Sequence, residues 1–128
     1  MAKRIAIQLG AEIAVAEMLW DQAPNLCKGI WDALPIECPA HHAKICNHEI
    51  MYPAPMVGLP RENPTVPRPG DVGYWTARNT ITIWYDDTVP LGPTGLFAKI
   101  VQNLEGFKKE ALKTWIKQGT MMRISRLE

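Results

Sequence analysis

Five side chains able to hold a metal ion or move a proton crowd into one short stretch: Cys38, His41, His42, Cys46 and His48. Zinc accepts thiolate and imidazole, but a structural site needs four such ligands converging tetrahedrally. His41 and His42 are adjacent, and adjacent residues on a strand point to opposite faces. The spacing also matches no finger or knuckle pattern, so no metal is expected. A single imidazole, His42 among them, can still act as an acid–base group, because neutral imidazole can take or give a proton near pH 7. The competing reading is a histidine hydrogen-bonded at a strand end. Glu62-Asn63 forms a second candidate group. A carboxylate held by stiff, proline-rich backbone over a pocket can serve as a general base, and the amide beside it can bind a carbonyl or oxyanion. Against this, Asn63 precedes Pro64, a pairing that initiates turns on its own.

Tyr52, Tyr74, Trp75, Trp84 and Tyr85 could wall a pocket with apolar rings and polar tips. Strand alternation lets only one of Tyr74 and Trp75, and one of Trp84 and Tyr85, face it. The cysteines read as packing, since neither Cys38 nor Cys46 has the context of an activated nucleophile. Asp86-Asp87 reads as a solvated turn. No phosphate loop, Ser-His-Asp signature or dinucleotide fingerprint occurs, so no cofactor is expected.

The elements that must position these residues follow from pattern. Ile5, Ile7 and Leu9 alternate over Arg4 to Leu9, giving a strand that turns at Gly10-Ala11 into a second, Glu12 to Leu19. Asp21 to Pro35 reads as a helix: Asp21 or Gln22 takes the N-terminal side, Pro24 sits in the first turn, and Pro35 stops it. Its apolar face is Cys27, Ile30, Trp31 and Leu34. Ala40 to Ile45 and Glu49 to Tyr52 form a hairpin; a turn at Cys46-Asn47 would set Lys44 against Glu49, Ala43 against Ile50 and His42 against Met51. Prolines between Pro53 and Pro69 give a long extended loop. Asp71 to Trp75 and Thr80 to Tyr85 make a third hairpin. Leu96 to Val101 reads as a strand, with a helix start as the alternative. Leu104, Phe107, Ala111 and Trp115 mark an amphipathic helix ended by Gly119, and Met121 to Leu127 closes the chain as a strand with Met122 and Ile124 on one face. Eight strands dominated by hairpins, with two helices, predict a mainly β protein: a closed barrel of mostly antiparallel strands capped by the helices.

Composition narrows the function classes. At 128 residues the chain is expected to form one domain, residues 1–128. Fourteen Lys plus Arg against thirteen Asp plus Glu leave a formal charge of +1. That balance argues against nucleic acid and anionic membrane as partners, since both need a concentrated basic face. No signal-like or membrane-length apolar run occurs, and three cysteines fit a reducing compartment, so a cytoplasmic location is expected. The expected partner is a small-molecule ligand or substrate. Small barrels with exposed loops also commonly associate into homo-oligomers.

The order of hairpin, Ala23-Pro24 helix, hairpins and Phe97-Ala98-Lys99-Ile100-Val101 resembles a cyclophilin-type barrel. More closely, Ala33-Leu34-Pro35, His42-Ala43, Glu62-Asn63-x-Thr65, Pro69-Gly70-Asp71, Gly92-Pro93 and Phe97-Ala98-x-Ile100 resemble DUF3830, a bacterial cyclophilin-like family of unknown function. Cyclophilin isomerases carry an Arg after a Phe-His pair. Here His41-His42-Ala43 puts Ala43 in that place, which argues against peptidyl-prolyl isomerisation. Related barrels in allophanate and 5-oxoproline hydrolases imply instead amide, cyclic imide or urea hydrolysis on a compact substrate. On that implication His42 and Glu62 share proton transfer, Asn63 and Tyr85 orient a carbonyl, and Thr65 and Tyr52 contact the substrate. The thin catalytic inventory motivates the alternative, a barrel that holds a small ligand or a partner subunit without changing it.

Overall fold

The alternation of Ile5, Ile7 and Leu9 builds strand β1 (Arg4–Leu9) with all three side chains fully buried. In the computed structural model, residues 3–88 and 94–127 are described, Ile45 by its backbone alone; the Gly92-Pro93 pair lies outside them. After β1 come β2 (Glu12–Met18), α1 (Pro24–Ala33), β3 (Ile36–His42), a 3-10 turn (Lys44–Cys46), β4 (Asn47–Pro53), β5 (Asp71–Trp75), a second 3-10 turn (Thr76–Arg78), β6 (Thr80–Thr88), β7 (Gly95–Gln102), α2 (Leu104–Lys113) and β8 (Thr120–Leu127). The strands close into a barrel in the order β1-β2-β7-β5-β6-β4-β3-β8, every neighbouring pair antiparallel. The expected closed, helix-capped β-barrel is the fold. Closure leaves no free sheet edge, and an eight-stranded barrel is narrow enough for its own side chains to fill. Ile7, Ala16, Ile50, Tyr52, Ile83, Phe97 and Ile124 are among those that do so. No helix among the described residues is long and apolar enough to cross a membrane.

The hairpin connections sort the molecule into two ends. At one, β2, β4 and β8 finish and β3, β6 and β7 begin; α1 packs there, with Leu26, Cys27 and Ile30 buried and the Cys27 thiol donating to the Phe97 carbonyl at 3.3 Å. Burying each large aliphatic side chain is worth roughly 2 kcal/mol. Arg126 of β8 donates from Nε and Nη2 to the Trp31 carbonyl at 3.1 and 2.8 Å, satisfying a C-terminal carbonyl of the helix. At the other end lie the β1–β2 turn, the β3–β4 turn, the end of β6 and α2. This helix touches β1, β2 and β6, strands that do not all adjoin in the ladder, so it crosses the barrel mouth. Phe107 and Ala111 enter the core beneath it.

Three expectations need correction. The strand before the β3–β4 turn starts at Ile36, directly after the cis Leu34-Pro35 bond, and ends at His42 rather than Ile45. A 3-10 turn takes up the difference, so His42 pairs with Ile50 and His41 with Met51. That one-residue slip puts His42 on the same face as Ile50, the barrel interior. The last helix stops at Lys113, and Trp115 lies beyond it in a turn. Asp86 and Asp87 belong to β6 rather than to a loop.

The outer face of β6 is also covered. Trp84 points away from the interior yet is fully buried, lying over Gly73 of β5. A Cβ on Gly73 would stand 2.7 Å from the indole and 2.9 Å from the Gly95 carbonyl, so only glycine fits.

Candidate functional site

The α1 end holds Glu62, Asn63 and Thr65. The start of α1 lacks a capping side chain of its own, with Ala23 at the N-cap and Pro24 following. Glu62 fills that role from the proline-rich loop: Oε1 accepts from the Leu26 backbone N–H at 2.8 Å and Oε2 from Asn25 Nδ2 at 2.9 Å. A carboxylate at a helix N-terminus meets an unpaired donor and the positive end of the dipole. The Leu26 N–H, with help from Asn25, accordingly holds the Glu62 carboxyl below its ordinary range. Asn63, with a positive φ of 53°, locks the loop to β7: its Nδ2 donates to the Leu96 carbonyl at 3.1 Å and its own carbonyl accepts from Leu96 N–H at 3.2 Å. Thr65 is exposed in the same loop. Both ends of the Glu62-Asn63 pair are thus engaged in holding the fold.

Tyr52 is fully buried inside the barrel and donates to the Met122 carbonyl at 2.8 Å. Burial raises its phenol well above the ordinary value. Tyr74 faces inward and Trp75 outward, as Tyr85 does relative to Trp84.

His42 and Tyr85 meet at the α2 end. Ending β3 on the interior face, His42 is 7% exposed, and its Nε2 lies 2.5 Å from the Tyr85 hydroxyl. Its backbone N–H donates to Gln118 Oε1 at 2.7 Å, and the Trp115 ring covers it edge-on with centroids 4.6 Å apart. The His48 ring also meets Tyr85, with centroids 5.5 Å apart, and its Nδ1 lies 3.0 Å from the Asp87 carbonyl. Burial first, then the neighbouring His48 and Lys44, push the His42 imidazole down to about 4. Burial, with Asp86 nearby, pushes the Tyr85 phenol up to about 12. At neutral pH both rings are uncharged and one proton bridges them. His42 Nδ1 is buried and has no partner. If Tyr85 donates to Nε2, Nδ1 carries the remaining proton as an unused donor; if Nε2 donates to Tyr85, Nδ1 is an unused lone pair.

Behind this pair, on the outer face of β4, sits Glu49. It is 4% exposed and accepts from Trp84 Nε1 at 2.8 Å. Burial pushes its carboxyl up to about 7, against the opposing pull of the Trp84 indole, the Cys46 thiol and the Thr88 hydroxyl. Alternation alone places Glu49 outward and gives no hint of burial; the cover comes from distant parts of the chain. Trp115 and Gln118 were hidden differently, because a helical period carried through Ala111 makes Trp115 look like helix face. Among the described residues no three His, Cys, Asp or Glu side chains gather where they could hold a metal ion, and His41 is exposed on the face opposite His42. The Cys27 thiol is pushed up to about 12, first by burial and then by Glu62, which leaves it unreactive.

A cleft of about 540 Å³ also opens near α1, lined by Lys3, Glu17, Met18, Leu19, Trp20, Asp21 and Gln22. None of the candidate residues reaches it, and the Lys3 ammonium already lies 5.6 Å from the Trp20 ring and 4.8 Å from that of Trp31.

A sequence profile described as "Protein of unknown function (DUF3830)" matches residues 5–125. The chain belongs to the DUF3830 family. This DUF3830 barrel is similar to the hypothetical protein AF2241 from Archaeoglobus fulgidus, with a TM-score of 0.76 and 23% identity over 98% of this chain and 95% of that one. It is also similar to McbB, solved in complex with tryptophan, with a TM-score of 0.79 and 15% identity over 95% of this chain but 44% of McbB. At such identities the likeness is one of fold. No functionally curated protein matches the DUF3830 chain.

Proposed function

We propose that this DUF3830 protein takes a small amide, cyclic imide or urea-type molecule at the α2 end of its barrel and acts on it through the His42–Tyr85 pair, in a hydrolytic reaction. The observation that carries this reading is the buried, unpartnered Nδ1 of His42. An orphaned polar atom in a packed interior costs stability of about 1–3 kcal/mol, and a ligand that pairs with it recovers that cost. An amide unit offers a carbonyl acceptor and an N–H donor side by side, so it can satisfy Nδ1 in either tautomer. With Nδ1 as a lone pair, His42 can take a proton from an attacking water while the Tyr85 hydroxyl donates to the oxygen that gains charge; the proton then passes to the departing nitrogen. Trp115 is the side chain that moves aside to admit the ligand, since its ring covers His42. McbB, which contains the same fold, is seen with a small molecule, tryptophan, bound.

A second reading has its own support. An imidazole lowered to about 4 draws weakly on a proton, and Glu62, the other acid–base candidate, is engaged at the far end. Both observations favour a barrel that binds without turnover. A thermal-shift panel of small amides, cyclic imides, ureides and carboxylates tests both readings. At about a hundred times its dissociation constant a ligand adds roughly 2.7 kcal/mol to wild type. His42→Gln is expected to lose that gain. Mass analysis after incubation then separates an altered ligand from an unchanged one. Equal shifts in wild type and His42→Gln would remove His42 from the site.

A further inference from the structure

Resting on the reading of His42 as a ligand-binding group, we propose that the molecule taken there carries a negative charge and that Lys44 is the side chain that recognises it. The turn Lys44–Cys46 begins two residues after His42 and sets Lys44 Nζ 5.6 Å from the centroid of the Trp115 ring, the same ring that covers His42 at 4.6 Å. Lys44, Trp115, His42, Tyr85 and His48 therefore follow one another in space, basic groups alternating with aromatic ones.

Among the described residues the ion pairs are Arg4–Glu17, Lys28–Asp32, Lys108–Asp86 and Lys113–Glu110, and Lys44 is in none of them. Asp86, the acid nearest in sequence to Tyr85, is held by Lys108 at 2.5 Å. Glu49 turns to the outer face of β4 and bonds Trp84. The Lys44 ammonium, which acts on His42, is positive. A partly dry mouth with basic groups on its rim and one unused polar atom inside favours an anion that also hydrogen-bonds. The amide portion of such a ligand reaches Nδ1 of His42 while its acidic group meets the Lys44 ammonium at the rim.

Two probes that share the N-acetylglycyl amide and differ in the terminal group test the assignment: N-acetylglycinate, which ends in a carboxylate, and N-acetylglycinamide, whose neutral terminal amide is close to it in size and shape. Their dissociation constants are read from His42 ring resonances in wild type, Lys44→Gln and Lys44→Arg, and from thermal shift in His42→Gln. Wild type is expected to bind the carboxylate roughly two- to fivefold more tightly, the scale of one exposed charge pair. Lys44→Gln should erase that preference, Lys44→Arg should keep it, and raising salt from about 20 to 200 mM should narrow it. Equal binding of the two probes by wild type, abolished for both in His42→Gln when followed by thermal shift, would overturn the charge assignment and leave His42 in the site. If neither probe moves the His42 resonances up to about 50 mM, far beyond an ordinary ligand affinity, both assignments fall.

Discussion

The two ends of the barrel carry similar polar side chains in opposite conditions. At the α1 end, both Glu62 oxygens accept hydrogen bonds and Asn63 is bonded through side chain and backbone. Among the described residues the one unpartnered buried nitrogen there, Trp75 Nε1, belongs to an indole that can only donate and cannot take up a proton. At the α2 end a histidine is left with one ring nitrogen free, beside a phenol, with a lysine at the rim that is in no ion pair among the described residues. A carboxylate in a stiff loop looks like chemistry in the sequence and turns out to be a helix cap.

The largest effect that sharpens this contrast is on pH dependence. Folded His42 stays neutral down to about 4, whereas the unfolded chain takes its proton near 6.5, so between those values stability falls as pH drops. Glu49 runs the other way: its folded carboxyl keeps the proton up to about 7 while the unfolded one releases it near 4.5, so stability falls as pH rises through that window. Each limb is worth up to roughly 3 kcal/mol. In wild type the two oppose each other between 4.5 and 6.5, above the range in which the low-pKa Glu62 and Glu110 lose their contribution. Glu49→Gln should therefore lose stability towards acid, and His42→Gln should lose it towards neutrality. Urea unfolding at stepped pH reads both slopes. Slopes of the same sign in the two variants would break the account of this end.

A smaller effect is expected of Trp115→Ala. Uncovering His42 admits water, so its imidazole should rise from about 4 towards 6.5, by about one unit. The stability cost should be about 1 kcal/mol, because Trp115 is already 38% exposed. An NMR titration that leaves His42 at its wild-type value would show that Trp115 is not its cover. The smallest effect is Glu62→Gln: the cap on α1 weakens, Tm falls by a few degrees, and the ligand response at the far end is unchanged. Loss of ligand response in this variant, as complete as in His42→Gln, would erase the distinction between the two ends.

Most of the fold was legible because each strand's period and each turn's chemistry agree. Ile5 to Leu9, Thr80 to Tyr85 and the Leu104 to Ala111 helix face all read correctly from side-chain pattern. The β3–β4 turn did not, because a 3-10 turn and a two-residue hairpin turn fit the same residues while differing by one step in register. That step decides whether His42 faces the interior. Of the site, His42 and Tyr85 could be picked out by type, and the structure brings them together. Glu49, Trp115 and Gln118 could not, since their placement depends on segments far along the chain folding over them. Glu62 was visible as a carboxylate in a stiff loop, but its engagement with Leu26 is a contact across 36 residues that no local pattern encodes.

The measurement that bears most directly on the central claim is nitrogen-15 NMR of the His42 ring, followed from about pH 3 to pH 8 and then with ligand added at neutral pH. A ring that stays neutral until about 4, with Nε2 coupled to Tyr85 and Nδ1 shifting when ligand binds, is the predicted result. An imidazole that titrates near its ordinary 6.5, with Nδ1 indifferent to every ligand that stabilises the protein, would contradict it.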